Sequence, residues 1–153
     1  MKLLPRQKKN EFFTIEERHQ IEDAIECAEK QTNGEVQVFI ESRCQKADAL
    51  KQAAKIFFSL KMEKTQQRNA VLVYVAIKDR KLAIFGDAGI HKKVGEEYWN
   101  HAVTKILHNF NNGNYSDGIK RCVLDIGEAL HIHFPYDKST DKNELPDSIR
   151  FGK

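Results

Sequence analysis

Gly86-Asp87-Ala88-Gly89 is the segment of this chain best suited to chemistry. Its glycines bracket an aspartate where an apolar strand ends and a helix begins. A carboxylate in such a turn is a candidate metal ligand. The amides of the helix start, together with Lys92 and Lys93, can instead receive a phosphate or a partner's acidic group. Gly86, Asp87, Gly89, Lys92 and Lys93 are therefore the candidate binding residues, and Asp87 is the candidate metal ligand. The pattern lacks the Gly-Lys-Ser/Thr of a P-loop, and a surface helix start is its plain alternative. Asp79 is the nearest second acid. It sits at the far end of the same strand, about 15–20 Å away, so the two acids do not share one cation. Each also has a purely turn-forming reading.

The remaining reactive side chains form no catalytic set. His131-x-His133 lies near Asp137, and Glu97 and His101 share a helix face, but neither group supplies the three or four ligands that a metal needs. His101 borders an apolar stripe and suits a packing role. There is no Gly-x-Ser-x-Gly, and no cysteine has an evident histidine and acid partner. A Cys-x5-Arg phosphatase loop at Cys44 would need arginine where Leu50 stands. The three cysteines, Cys27, Cys44 and Cys122, are odd in number and widely spaced, which suits a reducing compartment. Cys27 and Cys122 are expected on apolar helix faces, and Cys44 is expected near the surface.

The elements that position these residues follow from periodicity. Ala70–Ile77 is a continuous apolar run, the mark of a strand buried on both faces. Lys78-Asp79-Arg80 breaks it, and Leu82–Phe85 returns as the second arm of a hairpin. Val71, Val73 and Val75 are expected to face one helical layer, and Leu72, Tyr74 and Ala76 the other. Upstream, Thr14 and Glu17 form a capping box for a helix to about Thr32, with Ile21, Ala24, Ile25 and Ala28 on its inner face. Asn33-Gly34 stops it. Glu35–Glu41 alternates and reads as a strand with one more exposed face. A helix is expected over Lys46–Met62, with Ala47, Leu50, Ala54 and Phe57 inward. Another is expected over Val94–Asn109, with Trp99, Ala102, Val103, Ile106 and Phe110 as its stripe. Asn111–Asn114 breaks the chain before a last helix carrying Ile119, Cys122, Val123, Ile126 and Leu130.

The order helix, strand, helix, strand, strand, helix, helix places two parallel strands around a crossover helix and adds a hairpin. The expected fold is a three-layer α/β/α sandwich with a mixed, mostly parallel sheet. Residues 1–13 are expected as a flexible basic arm, 14–134 as the domain, and 135–153 as a polar tail. Ile149 and Phe151 leave the tail one alternative, docking on the domain or a partner.

With 41% hydrophobic residues and a net charge of +3 spread among interleaved acids and bases, the chain resembles a soluble domain and lacks the footprint of a nucleic-acid binder. It has no apolar run long enough for a membrane span and no signal-peptide core, so a cytoplasmic location is expected.

Three segments carry a family resemblance: GEVQVFI from Gly34, RNAVLVYVAIKDRKLAIFGDAG from Arg68, and NNGNYSDGIKRCVLDIGEAL from Asn111. Together they resemble the TPM domain over about residues 14–134. The resemblance implies an α/β/α domain, usually secreted or membrane-anchored. Some members are weak acid phosphatases, with calcium binding in at least one, and others are accessory or assembly proteins. This chain departs from the family pattern. Arg68-Asn69-Ala70 stands where Asp-Asn-Gly is frequent, Lys78-Asp79-Arg80 where Asp-Asp-Arg is frequent, and Gly86-Asp87-Ala88 where Gly-Tyr-Gly is frequent. Two acids have become basic. The expectation is a non-catalytic module that binds an unidentified protein partner and needs no cofactor. The alternative is a weak calcium- or magnesium-dependent acid phosphatase using Asp87.

Overall fold

The computed structural model describes residues 12–137 and 149–152. In chain order the elements are α1 (Ile15–Glu29), β1 (Glu35–Glu41), α2 (Ala49–Ser59), β2 (Ala70–Ala76) and β3 (Lys81–Gly86). They continue with α3 (Ala88–Val94), α4 (Glu96–Asn111), α5 (Tyr115–His133) and β4 (Arg150–Phe151). The sheet order is β3-β2-β1-β4. β1 is parallel to β2 and to β4, while β3 closes the hairpin antiparallel to β2. The fold is thus α/β with a mixed sheet.

The register explains the two cores. Val36, Val38 and Ile40 stand beside Val71, Val73 and Val75. These six residues, with Leu82 and Ile84, meet the inner faces of α1, α4 and α5. Leu72, Tyr74 and Ala76 point the other way and pack with Ala53, Ile56, Phe57 and Met62 beneath α2. Every residue of β2 is buried, which fits its unbroken apolar run. The capping box forms as the sequence implies: Glu17 N–H donates to Thr14 Oγ1 at 3.0 Å and Thr14 N–H to Glu17 Oε1 at 2.9 Å.

Several expectations are corrected. β1 is neither at the sheet edge nor half exposed: β2 and β4 flank it, and every residue but Phe39 is buried. Helix α2 is shorter than expected, capped by Asp48, and its inner stripe is Gln52, Ala53, Ile56 and Phe57. Leu50 is 49% exposed and Ala47 also faces solvent. Gln52 faces inward with this stripe, toward a buried carboxylate described below. The helix expected from Val94 starts at Glu96. Gly95, with φ of +85°, ends α3 and opens α4, a left-handed backbone that suits glycine. Cys27 is exposed, since α1 turns it beside the Ile21, Ala24, Ile25, Ala28 stripe. The segment expected as a polar tail returns to the sheet. Ile149 is 6% exposed, Arg150 and Phe151 pair with Phe39 and Ile40, and Gly152 N–H donates to Ile40 O at 2.7 Å. Most of the expected basic arm (residues 1–11) and tail residues 138–148 lie outside the described residues.

Candidate functional site

Asp87 follows β3 and caps α3. Its Oδ1 accepts from Ala88 N–H at 2.8 Å, and its backbone N–H donates to Ala70 O. The side chain is 2% exposed. Both its oxygens are claimed by one guanidinium: Arg68 Nε donates to Oδ2 at 2.6 Å and Nη2 to Oδ1 at 2.7 Å. This fork geometry is the strongest pairing a carboxylate makes with a side chain. The hydrogen bond and charge of Asp87 hold the Arg68 guanidinium above its ordinary pKa. Arg68 reaches this position from a left-handed backbone, φ +52°, which carries a cost for a residue with a Cβ.

The two glycines beside Asp87 are packed, not open. A Cβ on Gly86 would lie 2.3 Å from Trp99 Cζ2, so the indole rests directly on that backbone. Trp99 Nε1 donates to His91 Nδ1 at 3.0 Å. A Cβ on Gly89 would lie 2.0 Å from Gln67 O. Gly89 and Ile90 N–H both donate to Arg68 O, at 2.7 and 3.3 Å, and His91 N–H donates to Asp87 O. The amides that were candidates for an anion are thus used within the turn. Lys92 and Lys93 are exposed in the last turn of α3, at the end where cations complement the helix dipole. They do not converge with the first-turn amides.

Asp79 lies at the other end of β3, in the hairpin. Its carboxylate accepts from Cys44 N–H at 2.7 Å and from Arg43 Nη1 at 2.8 Å. The Cys44 amide, then Arg43, hold its pKa below the ordinary carboxylate range. Beside it, at the carboxyl ends of β1 and β2, is a buried polar group that sequence reasoning missed. Glu41 Oε2 accepts from Tyr74 O–H and from Gln52 Nε2, the latter at 3.2 Å. Burial, then the bond to Glu41, pushes the Tyr74 phenol far up. The alternation of β1 and β2 puts Glu41 and Tyr74 on one face, but their partnership depends on the parallel register. Neither histidine group becomes a ligand set. Among the described residues, no three or more His, Cys, Asp or Glu side chains converge as metal ligands.

A groove of about 910 Å³ runs beside β3, between α2 and α4. Leu50 and Phe58 of α2 form one rim, and Trp99 and Val103 of α4 form the other, with Leu82–Gly86 as the floor. Sequence reasoning had Leu50 inside the core and so missed the rim.

Residues 7–129 match the TPM domain. The chain belongs to the TPM domain family. Among solved structures, this TPM domain is similar to the BA42 protein of the psychrophilic bacterium Bizionia argentinensis. That likeness has 38% identity, 92% coverage of this chain and 96% of that one, and a TM-score of 0.84. The N-terminal domain of a P. gingivalis protein shares the fold at 15% identity, 82% coverage of each chain and a TM-score of 0.66. The N-terminal domain of cg2496 from Corynebacterium glutamicum does so at 11% identity, 90% and 80% coverage, and a TM-score of 0.61. No curated protein matches the chain.

The divalent cation that the family resemblance implies is a poor fit to this turn. Both Asp87 oxygens already serve Arg68, and a cation would have to displace a guanidinium bound at two points. At 4 Å, a positive charge beside such a site opposes a cation by several kcal/mol at an effective dielectric of about 20.

Proposed function

We propose that this TPM domain is a non-catalytic accessory module that binds another protein. The observation that carries the reading is the closure of Asp87 by Arg68. The acid singled out for cation chemistry is buried and committed to a helix cap and a bidentate ion pair. Gly86 and Gly89 then serve as close-packing positions that join β3, α3 and α4 into one rigid corner. Asp79, the second acid of the hairpin, is likewise committed to Arg43 and a backbone amide.

The test is hydrolysis of a generic phosphomonoester by purified protein with calcium, with magnesium and with a chelator, in parent and Asp87→Asn forms. The expected result is no metal-stimulated turnover in either. Metal-stimulated turnover in the parent that Asp87→Asn abolishes would overturn the reading and establish a metal-dependent phosphatase.

A further inference from the structure

We infer that the free edge of β3 binds an extended segment of a partner protein as an added antiparallel or parallel strand, with apolar side chains at alternate positions and basic residues beyond both ends. The inference rests on the binding-module reading and names its partner class.

The first observation is the edge itself. Val71 stands opposite Gly86, and Asp87 N–H donates to Ala70 O. In an antiparallel ladder this makes Phe85 and Ala83 the residues that exchange bonds with Leu72 and Tyr74. The N–H and C=O groups of Leu82, Ile84 and Gly86 therefore point away from β2. No strand of the described chain lies against them, since β3 ends the sheet. Sheet edges are ordinarily defended by proline, a bulge, an inward charge or a covering element. β3 has no proline, pairs without a bulge through all six residues, and carries its single charge, Lys81, at its first position. The opposite edge, β4, is two residues long.

The second observation is the pair of walls. Leu50 and Phe58, 49% and 47% exposed, stand over one side of the edge, with Phe85 beside Phe58 at 5.9 Å between ring centroids. Trp99 and Val103 stand over the other side. A strand in this groove sends successive side chains to opposite walls, so the exposed Leu50 and Phe58 select an apolar residue at every second position, while Asn100 and Thr104 beside Val103 accept a hydroxyl at the positions between. Neighbouring strands meet the same geometry within this protein's own sheet.

The third observation is charge. The groove lining holds three acids, Asp48, Asp87 and Glu96, and one arginine. Asp87 and Arg68 satisfy each other. Asp48 and Glu96 remain, both exposed and neither in an ion pair among the described residues. They mark opposite ends of the groove. Lys81 Nζ donates to Ala47 O, which places Asp48 by the start of β3. Trp99 lies on Gly86, which places Glu96, one turn before it, by the end of β3. The two carboxylates complement basic residues separated by about 15–20 Å, the span of a six-residue strand.

The experiment uses the full chain and a short synthetic peptide of alternating valine and threonine with paired lysines at both ends. Amide resonances of Leu82–Gly86 are expected to shift on titration. Backbone N-methylation of the peptide in the edge-facing register is expected to weaken binding at least about tenfold, and in the opposite register to leave it nearly unchanged. Replacing the lysines by glutamates is expected to weaken binding by about tenfold or more. A Phe58→Asp variant with the parent melting temperature is expected to lose the peptide. The peptide variants leave the protein untouched, so they decide the matter even if Phe58→Asp is unstable. Three results would each overturn the inference: equal affinity for both N-methylated registers, shifts centred elsewhere, or a concentration-dependent dimer joined through β3. The last would assign the groove to a second copy. Phosphatase turnover would instead sink the non-catalytic reading and leave the peptide data standing.

Discussion

Replacing Gly86 by alanine tests whether the glycine turn is a packing device. The added Cβ would sit 2.3 Å from Trp99 Cζ2 and 2.8 Å from Cη2. Carbon atoms rest about 3.5–4.0 Å apart, so the indole must retreat by more than 1 Å. Its neighbours leave little room, since Trp99 is 6% exposed and its Nε1 is bonded to His91. Overpacking of this kind costs about 1–3 kcal/mol, and a strained or broken indole bond adds about 0.5–1.5 kcal/mol. The expected destabilisation is about 2–4 kcal/mol, or roughly 5–15 °C in melting temperature for a chain of this size. The chain has one tryptophan, so its fluorescence reports the same event, and a red-shifted emission is expected in the folded variant. The decisive measurement is a cycle with Trp99→Leu. On that background the methyl group has space, and Gly86→Ala is expected to cost less than about 1 kcal/mol. Equal costs on both backgrounds would refute the argument, because the glycine would then be needed for something other than the indole.

Three further outcomes follow from burial and charge. Val73 is 0% exposed between two helical layers, so Val73→Asp is expected to cost several kcal/mol and to abolish cooperative unfolding; an unchanged melt would contradict the doubly covered strand. Deleting residues 149–153 removes β4 and the buried Ile149, worth about 1.5–3 kcal/mol by area, and urea titration is expected to show a lower midpoint; an unchanged midpoint would make the pairing with β1 incidental. The Tyr98 phenol is pushed up to about 12, by burial first and then by the neighbouring Cys122 and Asp125. Its contribution to stability is full below the unfolded value near 10 and is lost as pH rises from about 10 to 12. Burial pushes the Cys122 thiol up with the same sign, so the comparison is between slopes. Tyr98→Phe is expected to flatten the fall of melting temperature across that window, and an identical slope would show that Tyr98 does not titrate there.

Much of the fold is legible because it rests on local patterns. The apolar run of β2, the capping box at Thr14 and the stripes of α4 and α5 each need a window of one element. What escaped were features made by contacts between distant segments. Leu50 looks like a core residue by spacing, yet it is 49% exposed, while Gln52 faces inward to Glu41, eleven residues back on β1. β4 is two residues of a polar segment, and its pairing with β1 spans over a hundred positions. No periodicity can develop in so short an element.

The candidate site failed to be legible in a more instructive way. The sequence showed a basic residue, Arg68, where relatives frequently carry an acid, and it showed Asp87 in a glycine turn. Read separately, the first is a charge that repels a cation and the second is a ligand for one. In the structure they are a single object: the Arg68 guanidinium bonds both Asp87 oxygens. The pair spans 19 residues, and it forms because Arg68 takes a left-handed backbone that no propensity favours. That backbone also turns the Arg68 carbonyl toward the amides of Gly89 and Ile90, which both donate to it. The chemistry left over is that of the neighbouring edge of β3. There the backbone groups, unlike the carboxylate, have no partner strand within the described chain. A surface that meets its ligand through an unpaired edge and apolar walls contains no reactive side-chain motif, which is why a search for motifs passes over it.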